Sequence, residues 1–103
     1  MRFLAGLITV CLCGFAQTPL RLAIAGLEHG HVSGFLRNAK ARTDVQIVGV
    51  FDENEALRAS YAKTFGLAPD MLYSGLDRML ERAKPEAVAT FTNTFDHATV
   101  VEV

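Results

Sequence analysis

The chain has 103 residues, with ten basic and eleven acidic side chains and a formal net charge of −1 at pH 7. This near balance, without a basic patch interleaved with aromatic residues, argues against a nucleic-acid partner. The length suffices for one small domain, and no internal repeat, low-complexity tract or long linker divides it.

The first sixteen residues have the layout of a secretory signal peptide. Arg2 gives a positive start, the stretch from Phe3 to Cys13 is almost entirely apolar, and small residues precede a cleavage point after Ala16. The apolar run is shorter than the roughly 20 residues of a membrane-spanning helix. We therefore expect residues 1–16 to be a Sec-type signal peptide, and the mature protein to be exported, periplasmic or secreted, without membrane attachment. The alternatives are an uncleaved anchor and a misassigned start.

Both cysteines, Cys11 and Cys13, lie in this segment. The remaining chain can form no disulfide, thiolate metal site or cysteine nucleophile. Export without disulfides is typical of a bacterial periplasmic protein.

Residues 20–42 predict a first strand, a glycine turn and a first helix. The apolar run Leu20–Gly26 predicts a buried strand, and a helix is expected from Gly30 or His31 to about Arg42. The apolar face of this helix has the spacing i, i+3, i+4, i+7 and consists of Val32, Phe35, Leu36 and Ala39. A strand, a tight turn and a helix N-terminus together form the first unit of a nucleotide-binding βαβ fold.

The rest of the chain continues this alternation. The later predicted elements are a strand over Val45–Phe51, a helix capped by Asn54 and stopped by Gly66, a short strand over Met71–Tyr73, a helix begun by a capping box at Ser74–Asp77 and ended by Pro85, a strand over Ala87–Thr92 and a helix from His97 to Val103. This order predicts an α/β fold with a doubly wound parallel sheet and right-handed crossovers, a Rossmann-like βαβαβαβ domain over residues 20–103 that is incomplete at its C-terminus.

Ligands of such sheets bind outside the carboxyl ends of the strands, where the strand order reverses. Three segments are expected at those ends, namely Gly26–His31, Asp52 and Thr92–His97. Their convergence predicts a single binding site.

The first of these segments departs from the G-x-G-x-x-G pattern of dinucleotide-binding loops. Gly26 fits the first position, where the turn needs a free φ angle and a ligand comes close. Glu28 and His31 stand at the second and third glycine positions, and a carboxylate there opposes a diphosphate. Gly30 and Gly34 can supply part of the missing room.

Asp52 ends the second predicted strand, 26 residues after Gly26. A separation of about 20 residues is typical of the acid that accepts hydrogen bonds from an adenosine ribose. A carboxylate would repel a 2′-phosphate, and Glu53 adds negative charge, so NAD is favoured over NADP. The alternative is that Asp52 only caps the amides of Asn54 or Glu55.

The pair His29 and His31 allows a second hypothesis, a metal-dependent hydrolase whose metal shell Glu28 and His97 would complete. The pair runs directly into a helix, and no cluster of aspartates or histidines follows at the later strand ends. We therefore expect no metal, and imidazoles that line a nucleotide pocket or cap the helix in the neutral form.

The third segment offers hydroxyl, amide and imidazole groups from Thr92, Asn93 and His97. His97 could exchange a hydrogen bond near the reactive end of a dinucleotide. The alternative is loop polarity with helix capping by Thr94 or Asp96.

Residues 20–103 resemble the N-terminal domain of Gfo/Idh/MocA oxidoreductases. The resemblance rests on the run Leu22–Leu36, on Asp52 after a Val-Gly-Val-Phe strand, and on Pro85–Val88 continuing to Thr92 and His97. It implies a domain that binds NAD(P), and a larger substrate domain that binds a sugar or polyol and forms homo-oligomers. Hydride would pass between the nicotinamide and a carbinol carbon.

In this resemblance Gly26 and Gly30 lie on the phosphate loop, Asp52 is the ribose acid, and the Thr92–His97 segment lies near the nicotinamide. The expected cofactor-binding residues are Gly26, His29, Gly30, His31, Asp52, Thr92, Asn93 and His97. The family's Glu-Lys-Pro motif and substrate domain would lie beyond Val103. We therefore expect no catalytic residue within these 103 residues. We also expect this stretch of chain to be inactive on its own. The alternative from Glu28 is a non-catalytic exported binding or scaffold domain.

Overall fold

Apolar stretches form four parallel strands in residues 18–91, the part of the chain that a computed structural model describes. The strands are β1 (Leu20–Ala25), β2 (Val45–Phe51), β3 (Leu72–Tyr73) and β4 (Ala87–Thr90). The helices are α1 (Val32–Ala41), α2 (Glu55–Phe65) and α3 (Leu76–Ala83), with a 3₁₀ turn at Pro69–Met71. Strands and helices alternate along the chain, which confirms the predicted α/β class.

The order of the strands in the sheet is β3-β2-β1-β4, and every pairing is parallel. From β1 the chain moves outward through β2 to β3, and then crosses back to place β4 on the other side of β1. The strand order therefore reverses between β1 and β4, as in one half of a doubly wound sheet.

Alternate residues of β1 face opposite layers of helix. Ile24 belongs to a cluster with Leu36 of α1, against which half-buried side chains of α2 also pack. Ala23 packs with Met79 and Ala83 of α3. Helices thus cover both faces of the central strand, which explains why its last four residues are all buried and apolar.

A bulge in β2 brings a glycine under α3. The register shifts between Leu22, which pairs with Ile47, and Ala23, which pairs with Gly49. One extra residue of β2 is accommodated there. A Cβ atom built on Gly49 would lie 2.9 Å from Cγ of Met79. The missing side chain at Gly49 therefore lets α3 approach the sheet.

Both predicted end signals of α2 are confirmed. The side chain of Asn54 accepts a hydrogen bond from the backbone N–H of Leu57 at 3.1 Å, which caps the helix N-terminus. Gly66 ends the helix in the left-handed conformation with φ = 66°.

The predicted capping box of α3 is wrong. The N-cap is Gly75, and no side chain caps the helix, because the hydroxyl of Ser74 stands one residue too early for that position. The helix ends at Ala83, and Lys84 takes a left-handed conformation with φ = 48°. The ring of Pro85 disfavours the right-handed helical conformation for the residue before it, so the helix does not continue through Lys84.

Other boundaries also differ from the predictions: β1 ends at Ala25, not at Gly26, and β3 begins at Leu72, not at Met71. Helix α1 begins at Val32, not at Gly30 or His31, and strand β4 ends at Thr90. Past that point Phe91 turns toward the loop after β1: its N–H donates to the carbonyl of Ala25, and its own carbonyl accepts from the N–H of His29.

The predicted signal peptide (1–16) and the predicted helix at 97–103 lie outside the described residues. Between residues 18 and 91, no helix has the length and apolar character needed to cross a membrane.

We predict opposite effects of the same substitution at two glycines. Gly49→Ala should destabilise the domain by about 1–3 kcal/mol, because its new methyl group meets a fully buried Met79. Gly34→Ala should stabilise it by about 0.5–1 kcal/mol, because this helical position has no heavy atom within 4 Å of the new Cβ. Urea denaturation measures both, and destabilisation by both substitutions would contradict this description of the packing.

Candidate functional site

The carboxyl ends of β1, β2 and β4 meet at one edge of the sheet. Ala25 pairs with Phe51 of β2 on one side and with Thr90 of β4 on the other. The residues that follow these strand ends are therefore neighbours, as the sequence predicted for Gly26 and Asp52. This edge includes the β1–β4 boundary, where doubly wound folds bind ligands.

Gly26 makes the turn out of β1. Its φ angle is 102°, a region that residues with a Cβ rarely adopt. Its N–H donates to the carbonyl of Phe51 at 2.7 Å, so the turn is fixed to the end of β2. The backbone itself therefore requires glycine at this position.

Asp52 is the buried charged residue of the described chain, with 7% of its surface exposed. Its Oδ2 accepts from the N–H of Leu27 at 2.7 Å, and its Oδ1 accepts from the N–H of Asn54 at 2.8 Å. The bond to Asn54 is the predicted local cap. The bond to Leu27 joins the β1–α1 loop to the end of β2. A carboxylate has about four acceptor positions, so these two bonds leave capacity for ribose hydroxyls.

The loop from Leu27 to His31 is hydrogen-bonded at Leu27 to the end of β2 and at His29 to the end of β4. Leu27 is fully buried, whereas Glu28, His29 and His31 are exposed. The N–H of His29 donates to the carbonyl of Phe91 at 3.1 Å, which links the loop to the end of β4. The exposed side chains of the loop are therefore presented by a backbone that contacts both neighbouring strands.

The two histidines are close to each other. Their ring centroids are 4.6 Å apart, and the backbone N–H of His31 donates to Nδ1 of His29 at 3.3 Å. The two imidazoles therefore lie side by side at the start of α1.

The N-terminus of α1 lies at the same edge. His31 is the N-cap residue but makes no side-chain capping bond, and the first turn contains no acidic residue. A Cβ atom built on Gly30 or Gly34 would meet no protein atom within 4 Å. The helix start is thus sterically open and keeps its partial positive charge, a combination that suits a phosphate group.

Arg58 is a residue of this edge that the sequence did not single out. Its Nη1 donates to the carbonyl oxygens of Asp52 at 2.7 Å and Glu53 at 3.1 Å. The guanidinium therefore lies across the end of β2. No local pattern distinguishes this arginine from the other basic residues of the helices, because its partners are backbone atoms.

The histidine pair does not extend to a metal cluster in the described chain. No group of three or more His, Cys, Asp or Glu side chains between residues 18 and 91 could hold a metal ion. His97, which the metal hypothesis used, lies outside these residues, as do Thr92 and Asn93.

Arg42 and Asp44, whose pKa values are shifted, lie at the opposite edge of the sheet from the candidate site. The guanidinium of Arg42 hydrogen-bonds the carboxylate of Asp44, which lowers the pKa of Asp44 and raises that of Arg42. Both residues are exposed and directly precede β2, at the amino ends of the strands. This ion pair therefore takes no part in the candidate site.

We predict that Asp52→Asn destabilises the fold by about 1–3 kcal/mol, because an amide NH₂ replaces one acceptor and leaves a buried N–H without a partner. Glu53→Gln is the matched control, because that neighbouring side chain is exposed. It should change the free energy of unfolding by less than about 0.5 kcal/mol. Equal effects of the two substitutions in urea denaturation would contradict the structural role of Asp52.

Solved structures share this fold. An inferred NADPH-dependent oxidoreductase from Desulfitobacterium hafniense DCB-2 superposes with a TM-score of 0.67 and 22% identity, over 84% of this chain and 24% of its own. An inferred dehydrogenase from Bordetella bronchiseptica RB50 gives a TM-score of 0.66 and 26% identity, over 81% and 21%. No protein-family model and no curated protein matches the sequence. The chain thus has a Rossmann-like fold and spans about a quarter or less of the length of these structures.

Proposed function

We propose that this chain is the nicotinamide dinucleotide-binding domain of an oxidoreductase. One observation carries the proposal: the buried carboxylate of Asp52 is hydrogen-bonded to the amide of Leu27, immediately after the Gly26 turn. An acid at the end of β2 beside a glycine turn at the end of β1 is the arrangement that holds the ribose and diphosphate of a dinucleotide. The names of both similar structures support an oxidoreductase.

The residues present fit such a cofactor. The diphosphate would lie against the open N-terminus of α1, near Gly30, and the adenosine ribose would donate hydrogen bonds to Asp52. The exposed imidazoles of His29 and His31 would border the diphosphate. Thr92, Asn93 and His97 are proposed to contact the nicotinamide end.

When bound, the nicotinamide supplies hydride-transfer chemistry. The work of this chain is to bind and orient the dinucleotide. Asp52 is held in one position by two backbone amides, so its hydrogen bonds to the ribose need no rearrangement of the acid. The proton-transfer and substrate-binding groups are proposed to come from a second domain.

We assign the parent protein to the Gfo/Idh/MocA oxidoreductases on the run Leu22–Leu36 and the Val-Gly-Val-Phe-Asp strand end. A sugar or polyol substrate and a homo-oligomer follow from that assignment. The composition of residues 1–16 supports export by a signal peptide.

Two observations bear on the choice between NAD and NADP. The carboxylates of Asp52 and Glu53 oppose a 2′-phosphate and favour NAD. The D. hafniense structure is named for NADPH. Titration of the chain with each dinucleotide shows which of the two it binds more tightly.

Thermal unfolding of the purified chain with NAD, NADP or zinc tests the function directly. A ligand that binds the folded state at about 100 times its dissociation constant stabilises that state by about 2.7 kcal/mol. We expect such a stabilisation with a dinucleotide and none with zinc. Stabilisation by zinc alone would indicate the metal-dependent hydrolase, and no response to either dinucleotide would indicate the scaffold domain.

A further prediction concerns Glu28. Two unit charges 4 Å apart in water interact by about 1 kcal/mol, or about fivefold in a dissociation constant. Removal of the Glu28 charge should therefore strengthen NAD binding by a few-fold in Glu28→Gln, and further in Glu28→Gly, which also opens the loop. Glu81→Gln, an exposed charge change on α3, is the control and should have no effect. Weaker binding in both Glu28 variants would show that this carboxylate helps to hold the ligand.

A further inference from the structure

A cleft lies between β3 and α3, beside the outermost strand of the described sheet. Its volume is about 500 Å³, which is within the range of small-molecule binding sites. The residues that line it are Asp70, Leu72, Tyr73, Ser74, Arg78 and Arg82. None of them belongs to β1, α1 or β2, so this cleft is separate from the candidate dinucleotide site.

Two arginines of α3 present positive charge to the cleft. Arg78 and Arg82 are four residues apart, so they lie on the same side of the helix, one turn from each other. Both are exposed, and neither side chain forms a hydrogen bond or an ion pair between residues 18 and 91. Like charges at this spacing repel each other and destabilise a helix. An anion bound between the two guanidinium groups would relieve this repulsion.

The acidic residues of α3 do not neutralise these arginines. Asp77 and Glu81 directly precede Arg78 and Arg82 in sequence, but they form no ion pair with them and do not line the cleft. The carboxylate that does line it belongs to Asp70, which forms no ion pair with either arginine. Two arginines against one aspartate leave the cleft with a net positive charge.

The remaining lining residues add a hydroxyl group and an apolar wall. The capping box predicted at Ser74 does not form, so the exposed Ser74 hydroxyl caps no helix and can bond a ligand in the cleft. The half-buried side chains of Leu72 and Tyr73 supply aliphatic and aromatic surface. The cleft therefore combines anion-binding donors with a surface suited to a small organic group.

We propose that this cleft binds a small organic phosphate, with the phosphate group between Arg78 and Arg82 and the organic part against Leu72 and Tyr73. Arginine binds phosphate through paired hydrogen bonds from its planar fork. A phosphate monoester is close to a dianion at pH 7, which matches two guanidinium groups. The proposal does not depend on the dinucleotide-binding function.

Phenyl phosphate is the probe, because it joins one phosphate group to one ring. The chain is titrated with it at low ionic strength, and the backbone amides are followed by NMR. The largest changes should fall on residues 70–82. Inorganic phosphate should affect the same amides but bind several-fold more weakly, because it has no apolar surface to bury. Phenol, which lacks the phosphate, should cause no change.

Substitutions of exposed residues test the charges. Arg78→Gln and Arg82→Gln should each weaken phenyl phosphate binding about tenfold, because a charge-assisted hydrogen bond is lost. Asp70→Asn should strengthen it a few-fold, because it removes an opposing charge. Arg37→Gln is the matched control and should leave the affinity unchanged. Arg37 is an exposed arginine of α1, which covers the other face of the sheet.

Three results would overturn the proposal. One is a response to phenyl phosphate confined to residues 28–34, which would place the phosphate at the start of α1. Another is equal weakening by Arg37→Gln and by the two cleft substitutions, which would indicate attraction to net charge alone. The third is the absence of any change with phenyl phosphate. None of these results bears on whether the chain binds a dinucleotide, and failure to bind NAD or NADP would leave the cleft proposal intact.

Discussion

The hydrogen bond between the Asp52 carboxylate and the Leu27 amide is the interaction on which the candidate site depends. It joins the loop after β1 to the end of β2, across 25 residues of sequence, inside a buried environment. Without it, the Gly26 turn and the acid would be neighbours only through the backbone pairing of their strands. With it, the acid and the start of α1 are held at a fixed separation, which is what a ligand spanning both would require.

The sheet order explains why these groups meet. Because β1 is paired on both sides, the loop that follows it contacts the end of β2 through Gly26 and the end of β4 through His29. The same order requires helices on both faces, and Gly49 permits the close approach of α3 on one of them. Packing far from the site thus positions the three strand ends that form it.

Local signals predicted much of this architecture from the sequence. Strand β2 has the predicted bounds, and Asn54 and Gly66 delimit α2, because capping depends on residues adjacent in sequence. The predicted capping box at Ser74–Asp77 is wrong, because the helix starts one residue later than that pattern requires and its N-cap is Gly75. The bond from Asp52 to Leu27 and those from Arg58 to backbone carbonyls could not be predicted, since each joins atoms that no sequence pattern specifies.

Chemical-shift mapping of the backbone amides during a titration with NAD tests the central claim most directly. The account predicts that the largest changes fall on the amides of residues 26–34 and 52–54, which form the turn, the helix start and the surroundings of the acid. Changes concentrated elsewhere, such as the cleft between β3 and α3 lined by Tyr73, Arg78 and Arg82, would contradict it. Unchanged spectra at saturating NAD and NADP would do the same.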